Sequence, residues 1–258
     1  MFEVTGEIAL RSQVRVGNDQ TIDGRGQQVV LTGRGLRISG RRNVVIHNLE
    51  IRACEGDAIS VYQSEGVWID HVSLSDCRDG LIDITEQSTD VTVSWSRLHN
   101  HNKAMLIGAN NTRTADRVIR VTLHHNVFEN TARRNPLVRF GSVHMFNNHL
   151  LHWGEGAGGD AVNATCFSQV FLENNVFEAD RNRMATRTSV PNYIPDEGYI
   201  RAVGNWTLGG AVIEEAKPAM VFDPSTQYAY TAELADAALQ TRLANGAGTQ
   251  VTSPPPGI

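Results

Sequence analysis

Cysteine and lysine are scarce in this sequence, and long apolar runs are missing. Three cysteines are an odd number, which argues against a disulfide framework. No apolar run approaches the roughly 18 residues of a membrane span, so we expect no membrane partner. The net charge of −5 argues against general nucleic-acid binding. Residues 1–11 lack the basic and apolar regions of a signal peptide.

A repeat organises most of the chain. Short apolar segments align on one anchor position each, at intervals of 23, 24, 30, 22 and 27 residues. The six anchors are Ile46, Ile69, Val93, Leu123, Met145 and Leu172. Ile22 fits one step earlier and Ala202 fits one step later. Such a period is typical of a solenoid, in which each unit buries its apolar face against its neighbours.

The repeating segments predict strands, because they are short, rich in Val, Ile, Leu and Phe, and separated by Gly, Asn and Asp. Equivalent strands of successive coils must run parallel, so we predict an all-β parallel β-helix over residues 1–213. Residues 214–258 leave the repeat and are predicted to pack on the solenoid. They contain one predicted helix, Thr231–Asn245, with its first threonine as N-cap and Gly246 at its end, and a Pro-rich tail, Ser253–Ile258.

The repeat converts sequence offset into distance, since equivalent residues of adjacent coils lie about 4.8 Å apart. Asn126, Asn148 and Asn175 share one position, which predicts a ladder of stacked amides. Cys54 and Cys77 share another position and therefore lie near disulfide distance. A disulfide and a pair of stacked free thiols are equally compatible with this placement.

Charged residues occupy one position on four consecutive coils. Ten or eleven residues beyond successive anchors stand Asp57, Asp79, Lys103 and Arg134. Lys103 is one of only two lysines in the chain, which makes it an unusual choice. A single aspartate would more simply cap a turn. Two carboxylates and two cations in one column instead predict a functional site.

Oxygen ligands from separate strands suit Ca²⁺, a hard cation that tolerates irregular geometry. Asp57, Asp79 and Asp83 are the natural set. In a fully extended strand, Asp79 and Asp83 would lie about 13 Å apart. The two can share an ion only if the chain turns at Gly80.

Six motifs stand in a fixed order between residues 68 and 144. They are Trp68–His71, Asp79–Ile84, Val91–Trp95, Leu123–Asn126, Arg134–Arg139 and Phe140–His144. In this order and spacing they resemble the pectate lyases of the first polysaccharide-lyase family. The resemblance implies a right-handed, single-stranded parallel β-helix. It also implies calcium-dependent β-elimination of polygalacturonate, the de-esterified form of pectin, to unsaturated oligogalacturonates.

The resemblance also implies a role for each residue of the site. It makes Asp57, Asp79 and Asp83 calcium ligands, Arg134 the acceptor of the C5 proton, and Lys103, Arg139 and Arg187 substrate-binding cations. An arginine is an unusual base because a guanidinium ordinarily stays protonated. Nearby cations disfavour its charged form, so we expect an alkaline optimum. We further expect a secreted monomer whose partner is pectin.

Two other functions stay open at this point. A pectin lyase would act on methylated substrate without metal, and the three aspartates argue against it. A non-catalytic polysaccharide-binding β-helix would keep the fold and lose the chemistry. A hydrolase would need two carboxylates flanking the scissile bond, whereas Lys103 and Arg134 hold the central positions.

The histidines do not predict a zinc site. His124 and His125 are adjacent, and neighbouring residues of a strand face opposite sides. No cysteine cluster accompanies them or the pair His99 and His101. His71, in the first of the six motifs, is predicted to be a packing or turn residue, as is the preceding aspartate.

Overall fold

The computed structural model describes residues 2–154, 159–189 and 196–250. Within these ranges the chain forms 25 β-strands, which wind into three parallel sheets along one solenoid. Each coil contributes one strand to each sheet, and neighbouring strands of a sheet come from successive coils. The predicted parallel β-helix is therefore confirmed. The predicted tail, Ser253–Ile258, lies outside the described residues.

The strands divide into three sheets, which we name A, B and C. Sheet A contains nine strands: β1 (Gly6–Ala9), β4 (Val29–Gly33), β7 (Glu50–Cys54), β10 (Ser73–Ser75), β13 (Arg97–Lys103), β16 (Val127–Arg133), β19 (His149–Leu151), β22 (Val176–Glu178) and β25 (Trp206–Leu208). Sheet B contains eight: β2 (Val14–Val16), β5 (Leu36–Ser39), β8 (Ile59–Tyr62), β11 (Ile82–Thr85), β14 (Met105–Ile107), β17 (Leu137–Arg139), β20 (Val162–Thr165) and β23 (Thr186–Arg187). Sheet C also contains eight: β3 (Gln20–Asp23), β6 (Arg42–His47), β9 (Glu65–Asp70), β12 (Thr89–Ser94), β15 (Arg120–His124), β18 (Ser142–Phe146), β21 (Gln169–Glu173) and β24 (Tyr199–Val203).

The anchors of the repeat form one column in sheet C. Ile46 pairs with Ile69, and Ile69 pairs with Val93. The series continues through the remaining anchors, and Ile22 and Ala202 extend it at the two ends. Ile46, Ile69 and Val93 are fully buried, so the column forms part of the apolar core. The alignment made from sequence is confirmed.

An amide ladder runs through the interior beside this core. Asn126 Nδ2 donates to Asn148 Oδ1 at 2.9 Å, and Asn148 Nδ2 donates to Asn175 Oδ1 at 2.9 Å. The ladder ends on Asn205, whose Oδ1 lies 3.0 Å from Asn175 Nδ2. Each amide also donates to a backbone carbonyl of sheet C. These bonds satisfy polar groups that burial would otherwise penalise, and they confirm the predicted ladder.

Cys54 and Cys77 form a disulfide between adjacent coils, with their Cα atoms 4.5 Å apart. The structure thus decides between the two alternatives that the sequence left open. Cys166 is a free thiol and is buried.

The C-terminal helix is shorter than predicted. In place of Thr231–Asn245, α1 spans Ala237–Gly246 and begins after Asp236, whose carboxylate accepts an N–H of the first turn. The helix does not begin at the predicted residue, because the backbone of Glu233 is hydrogen-bonded to a side chain of the solenoid. Its N–H donates to Asn147 Oδ1 at 2.8 Å, and its carbonyl accepts from Asn147 Nδ2 at 2.7 Å. Asp236 is therefore the N-cap.

Helix α1 covers part of the outer face of sheet A. Leu239 and Leu243 are fully buried there against Val127 and Val176. In the described residues, short 3₁₀-helices span Thr114–Val118, Pro218–Met220 and Pro224–Thr226. No helix in the described part of the chain is long and apolar enough to cross a membrane. The division into units 1–213 and 214–258 stays a proposal.

Candidate active site

Five of the residues predicted from sequence meet where sheet A passes into sheet B. Asp57, Asp79 and Arg134 lie in the connections that lead from sheet A to sheet B, Lys103 ends β13, and Asp83 lies on β11. The inward neighbours of Asp83 on β11, Ile82 and Ile84, are fully buried in the core. Because side chains alternate along a strand, Asp83 faces outward.

Gly80 lies between two of the carboxylates. Its N–H donates to Asp57 Oδ1 at 2.9 Å, and Ser60 Oγ donates to Asp57 Oδ2 at 3.0 Å. A Cβ placed on Gly80 would lie 2.8 Å from Asp83 Oδ1 and 3.2 Å from Asp57 Oδ1. The two carboxylates therefore converge on a space that only glycine leaves open.

Asp79 forms an ion pair with Lys103. Lys103 Nζ lies 2.7 Å from Asp79 Oδ1, and the hydrogen bond from this ammonium lowers the pKa of Asp79. His101 Nε2 lies 2.8 Å from the backbone oxygen of Asp79 and supports the same turn. The side chain of Asp79 is 58% exposed, so this carboxylate stands at the outer edge of the site.

The pKa of the Asp83 carboxyl group is raised by its surroundings. Its burial and the negative charge of Asp57 raise its pKa to about 7, while Arg134 and Lys103 act in the opposite direction. Crowded carboxylates without a bound cation are expected to behave in this way. A divalent cation held between them would relieve the repulsion.

Arg134 is displaced by one residue from its predicted position. It was predicted to share a position with Lys103, but the residue in register with Lys103 is Arg133. Arg134 follows with φ +62°, and its carbonyl accepts from Met105 N–H at 2.7 Å. The left-handed conformation recurs at many turns of this solenoid, including His71, so by itself it does not mark a catalytic residue.

Of the other two predicted cations, Arg139 lies on β17 in the same coil as Arg134, and Arg187 lies two coils later. Arg139 is 4% exposed, and its Nη1 donates to the carbonyls of Gly108 and Ala109 at 3.1 and 3.2 Å. Arg187 is more accessible and forms an ion pair with Asp160, Nε to Oδ2, at 3.3 Å. Arg187 follows Asp83 in one column of sheet B. The intervening residues are Leu106, Leu137 and Asn163. Four steps of about 4.8 Å separate them by roughly 19 Å.

Asp160 is a buried partner of Arg187 that the sequence did not reveal. It is buried, and burial raises the pKa of its carboxyl group while Arg187 opposes the shift. Asn163 Nδ2 donates to its Oδ2 at 2.8 Å. Asp160 stands outside the strands and follows a Gly-rich stretch, so the repeat offered no offset by which to find it.

One histidine interpretation is wrong. His124 and His125 were expected to face opposite sides of a strand, but their Nδ1 atoms lie 3.0 Å apart. β15 ends at His124, and His125 takes φ +56°, which breaks the alternation and returns its ring to the same side.

A polar groove of about 950 Å³ includes two of the five residues, Asp79 and Lys103, in its lining. It is lined by Lys103 and Asp79, by the amides of Asn100 and Asn130, and by Arg181. Amides and cations in an open groove are suited to a hydroxylated, anionic chain.

The comparisons with known proteins identify the family. Residues 3–252 match the family model described as pectate lyase, and the chain belongs to this family. A pectate lyase of Lilium longiflorum is 37% identical over 185 residues, which are 63% of this chain and 43% of that protein. The chain spans about half the length of the curated relatives it matches.

Solved structures agree with this assignment. The major allergen from cedar pollen superposes with a TM-score of 0.85 at 29% identity, covering 96% of this chain and 79% of that chain. A pectate lyase from Bacillus sp. N165, solved in complex with trigalacturonate, gives 0.76 at 25% identity, covering 95% and 84%.

Proposed function

We propose that this protein is a calcium-dependent pectate lyase that cleaves de-esterified polygalacturonate by β-elimination, as a secreted monomer. The observation that carries the proposal is the gathering of three carboxylates and two cations where sheet A passes into sheet B. Asp79 is paired with Lys103 there, and Asp57 and Asp83 converge on Gly80. Family membership supports the same reaction class.

The donor set fits calcium. Asp57, Asp79 and Asp83 offer only oxygen ligands, and Gly80 leaves the space between two of them open. The raised pKa of Asp83 reflects negative charge that a divalent cation would neutralise. When bound, the ion supplies positive charge near the uronate carboxylate, where negative charge develops during proton removal.

The proposed elimination uses Arg134 as the base and Lys103 as a cation. Arg134, in its neutral form, accepts the proton from C5, the electrons of that bond form the C4–C5 double bond, and the C4–O glycosidic bond breaks. The leaving oxygen takes up a proton from solvent, and the product is an unsaturated oligogalacturonate. Lys103 binds a substrate carboxylate and stabilises the charge that develops on it.

Arg139 and Arg187 are proposed to bind substrate further along the solenoid. Arg187 fits this role, because Asp160 holds it while part of its side chain stays accessible. Arg139 is more constrained, since it is buried and donates to two backbone carbonyls.

Secretion is supported by the Cys54–Cys77 disulfide, because such bonds persist mainly in oxidising compartments.

The test is an absorbance assay for the unsaturated product. We expect activity on polygalacturonate with Ca²⁺, loss of activity in chelator, and recovery when Ca²⁺ is restored. Asp83→Asn should lose most activity, and exposed Asp76→Asn should retain it. Full activity on methylated pectin in chelator would identify a pectin lyase instead. Binding of polygalacturonate without product would identify a non-catalytic module.

A further inference from the structure

A cluster of two imidazoles and one carboxylate lies at a different turn of the coil, where sheet C passes into sheet A. Asp70 is 4% exposed, and its Oδ2 lies 2.8 Å from His47 Nδ1 and 2.7 Å from His71 Nδ1. The ligand atoms of the three residues all lie within 4.8 Å of one another. Both imidazoles thus direct the same nitrogen at one carboxylate oxygen.

The solenoid itself assembles this cluster. His47 and Asp70 are partners in the register of β6 and β9, so their side chains lie on adjacent coils. His71 follows Asp70 with φ +50°, and this left-handed turn lets its ring reach back to the neighbouring carboxylate. In an extended strand the two side chains would point to opposite faces.

Outer contacts fix the orientation of Asp70 and His71. Asp70 Oδ1 accepts a hydrogen bond from Ser94 Oγ, and Ser94 Oγ in turn accepts from Trp68 Nε1 at 2.8 Å. The ring of His71 stacks on Trp95, with centroids 5.9 Å apart and an interplanar angle of 10°. Contacts of this kind orient the ligands of protein metal sites.

We propose that His47, Asp70 and His71 form a site for Zn²⁺ or a similar divalent transition metal, distinct from the proposed calcium site. Two imidazole nitrogens and one carboxylate oxygen are a ligand set that zinc accepts in proteins, with water in a fourth position. The side chains of His47 and His71 are 19% and 27% exposed, so solvent reaches them. The calcium candidates offer oxygen alone, which zinc favours less.

Metal binding at Nδ1 requires that the proton on this nitrogen move elsewhere. Each neutral imidazole moves its proton from Nδ1 to Nε2, and its Nδ1 lone pair binds the cation. A protonated imidazole instead releases one proton to solvent. Asp70 gives up two hydrogen bonds from the rings and keeps the one from Ser94.

A metal here would join two adjacent coils beside the chain's C-terminal segment. Asn48, next to His47, exchanges two hydrogen bonds with the backbone of Gln250, at 3.0 and 2.7 Å. A ligand that binds only the folded state raises the melting temperature. Zinc should therefore stabilise the protein against heat.

The test uses the full chain without a histidine tag, stripped with chelator and then held in excess Ca²⁺. Calorimetric titration with Zn²⁺ should give one site per chain. Thermal unfolding should show a higher melting temperature with Zn²⁺ than without it. His47→Gln and His71→Gln should each weaken binding at least about tenfold and abolish the thermal shift. Co²⁺ added in place of Zn²⁺ should give the visible absorption of a four-coordinate ion.

Two control variants make the result specific. His152→Gln removes an exposed imidazole outside the cluster, and Asp83→Asn removes a carboxylate of the proposed calcium site. Both should bind Zn²⁺ like the unaltered protein. The proposal is overturned if the unaltered protein binds no Zn²⁺, or if His47→Gln, shown to be folded by circular dichroism, binds it equally well. Neither result depends on whether the protein is a lyase.

Discussion

Lys103 Nζ lies 2.7 Å from Asp79 Oδ1, so one residue proposed to bind substrate is paired with one proposed to bind calcium. The two side chains come from successive coils, and both are partly exposed. The ammonium therefore competes with a cation for the same carboxylate. Calcium and substrate binding should be linked through this pair.

Replacing Lys103 by Met should affect the two ligands in opposite directions. Removing the ammonium frees Asp79, so the dissociation constant for Ca²⁺ should fall by up to about fivefold, the size expected for an exposed ion pair. Substrate loses a cation, so KM for polygalacturonate should rise. Calorimetry with Ca²⁺ and steady-state kinetics measure the two effects. Unchanged calcium affinity would contradict the competition between Lys103 and Ca²⁺ for Asp79.

Asp83 should make the metal-free protein less stable as the pH rises. Its pKa in the folded state, about 7, lies above the ordinary value of 3.8, so the folded chain holds this proton more tightly than the unfolded chain. The contribution of Asp83 to stability is therefore greatest at low pH and is lost between about pH 4 and pH 7. Asp83→Asn removes the penalty and should stabilise the metal-free protein at pH 8 by ~1–4 kcal/mol.

Urea unfolding in chelator at pH 5 and pH 8 measures this effect. The gain for Asp83→Asn should be larger at pH 8, whereas exposed Asp76→Asn should change stability by less than about 0.5 kcal/mol at both values. An equal gain at both pH values would contradict the assignment of the raised pKa to Asp83.

Arg134 and its neighbour Arg133 form a matched pair for testing the base. Arg134→Lys should lower kcat by at least about 10² with a smaller change in KM, because lysine differs in reach, planarity and basicity. Arg133→Lys should leave kcat nearly unchanged, since Arg133 is the exposed partner of Lys103 in the register. If the two variants behaved in the opposite way, the proton acceptor would be Arg133.

Asn148 should contribute more to stability than Asn205. Asn148 lies inside the amide ladder and is fully buried, so Asn148→Ala leaves neighbouring polar groups without partners. The expected cost is about 2–4 kcal/mol in the free energy of unfolding. Asn205 ends the ladder and is partly exposed, so Asn205→Ala should cost less. Equal costs would mean that the ladder bonds are replaced by water.

Much of the fold follows from the sequence alone. The apolar anchors recur at the coil period, and each buries its side chain only if its strand pairs with the next coil. This requirement left one register for Ile46, Ile69 and Val93, and the structure has it. The asparagine ladder followed for the same reason, because a shared position in adjacent coils is a contact.

The sequence also indicated which residues meet at the site, but not their geometry. Turns between strands vary by one residue without cost to the core. An offset of ten or eleven therefore could not distinguish Arg133 from Arg134 as the partner of Lys103. That distinction depends on where β16 ends, which backbone hydrogen bonds to the neighbouring coils decide.

Tertiary structure alone decided the contacts that depend on left-handed turns and on segments outside the repeat. The turn at His71 gathers the histidine cluster, and the contact of Asn147 with Glu233 delays the start of α1. Asp160 reaches Arg187 from a connection that carries no repeat. Periodic apolar burial determines the register of strands, whereas the direction of a side chain in a turn depends on local backbone angles that no period encodes.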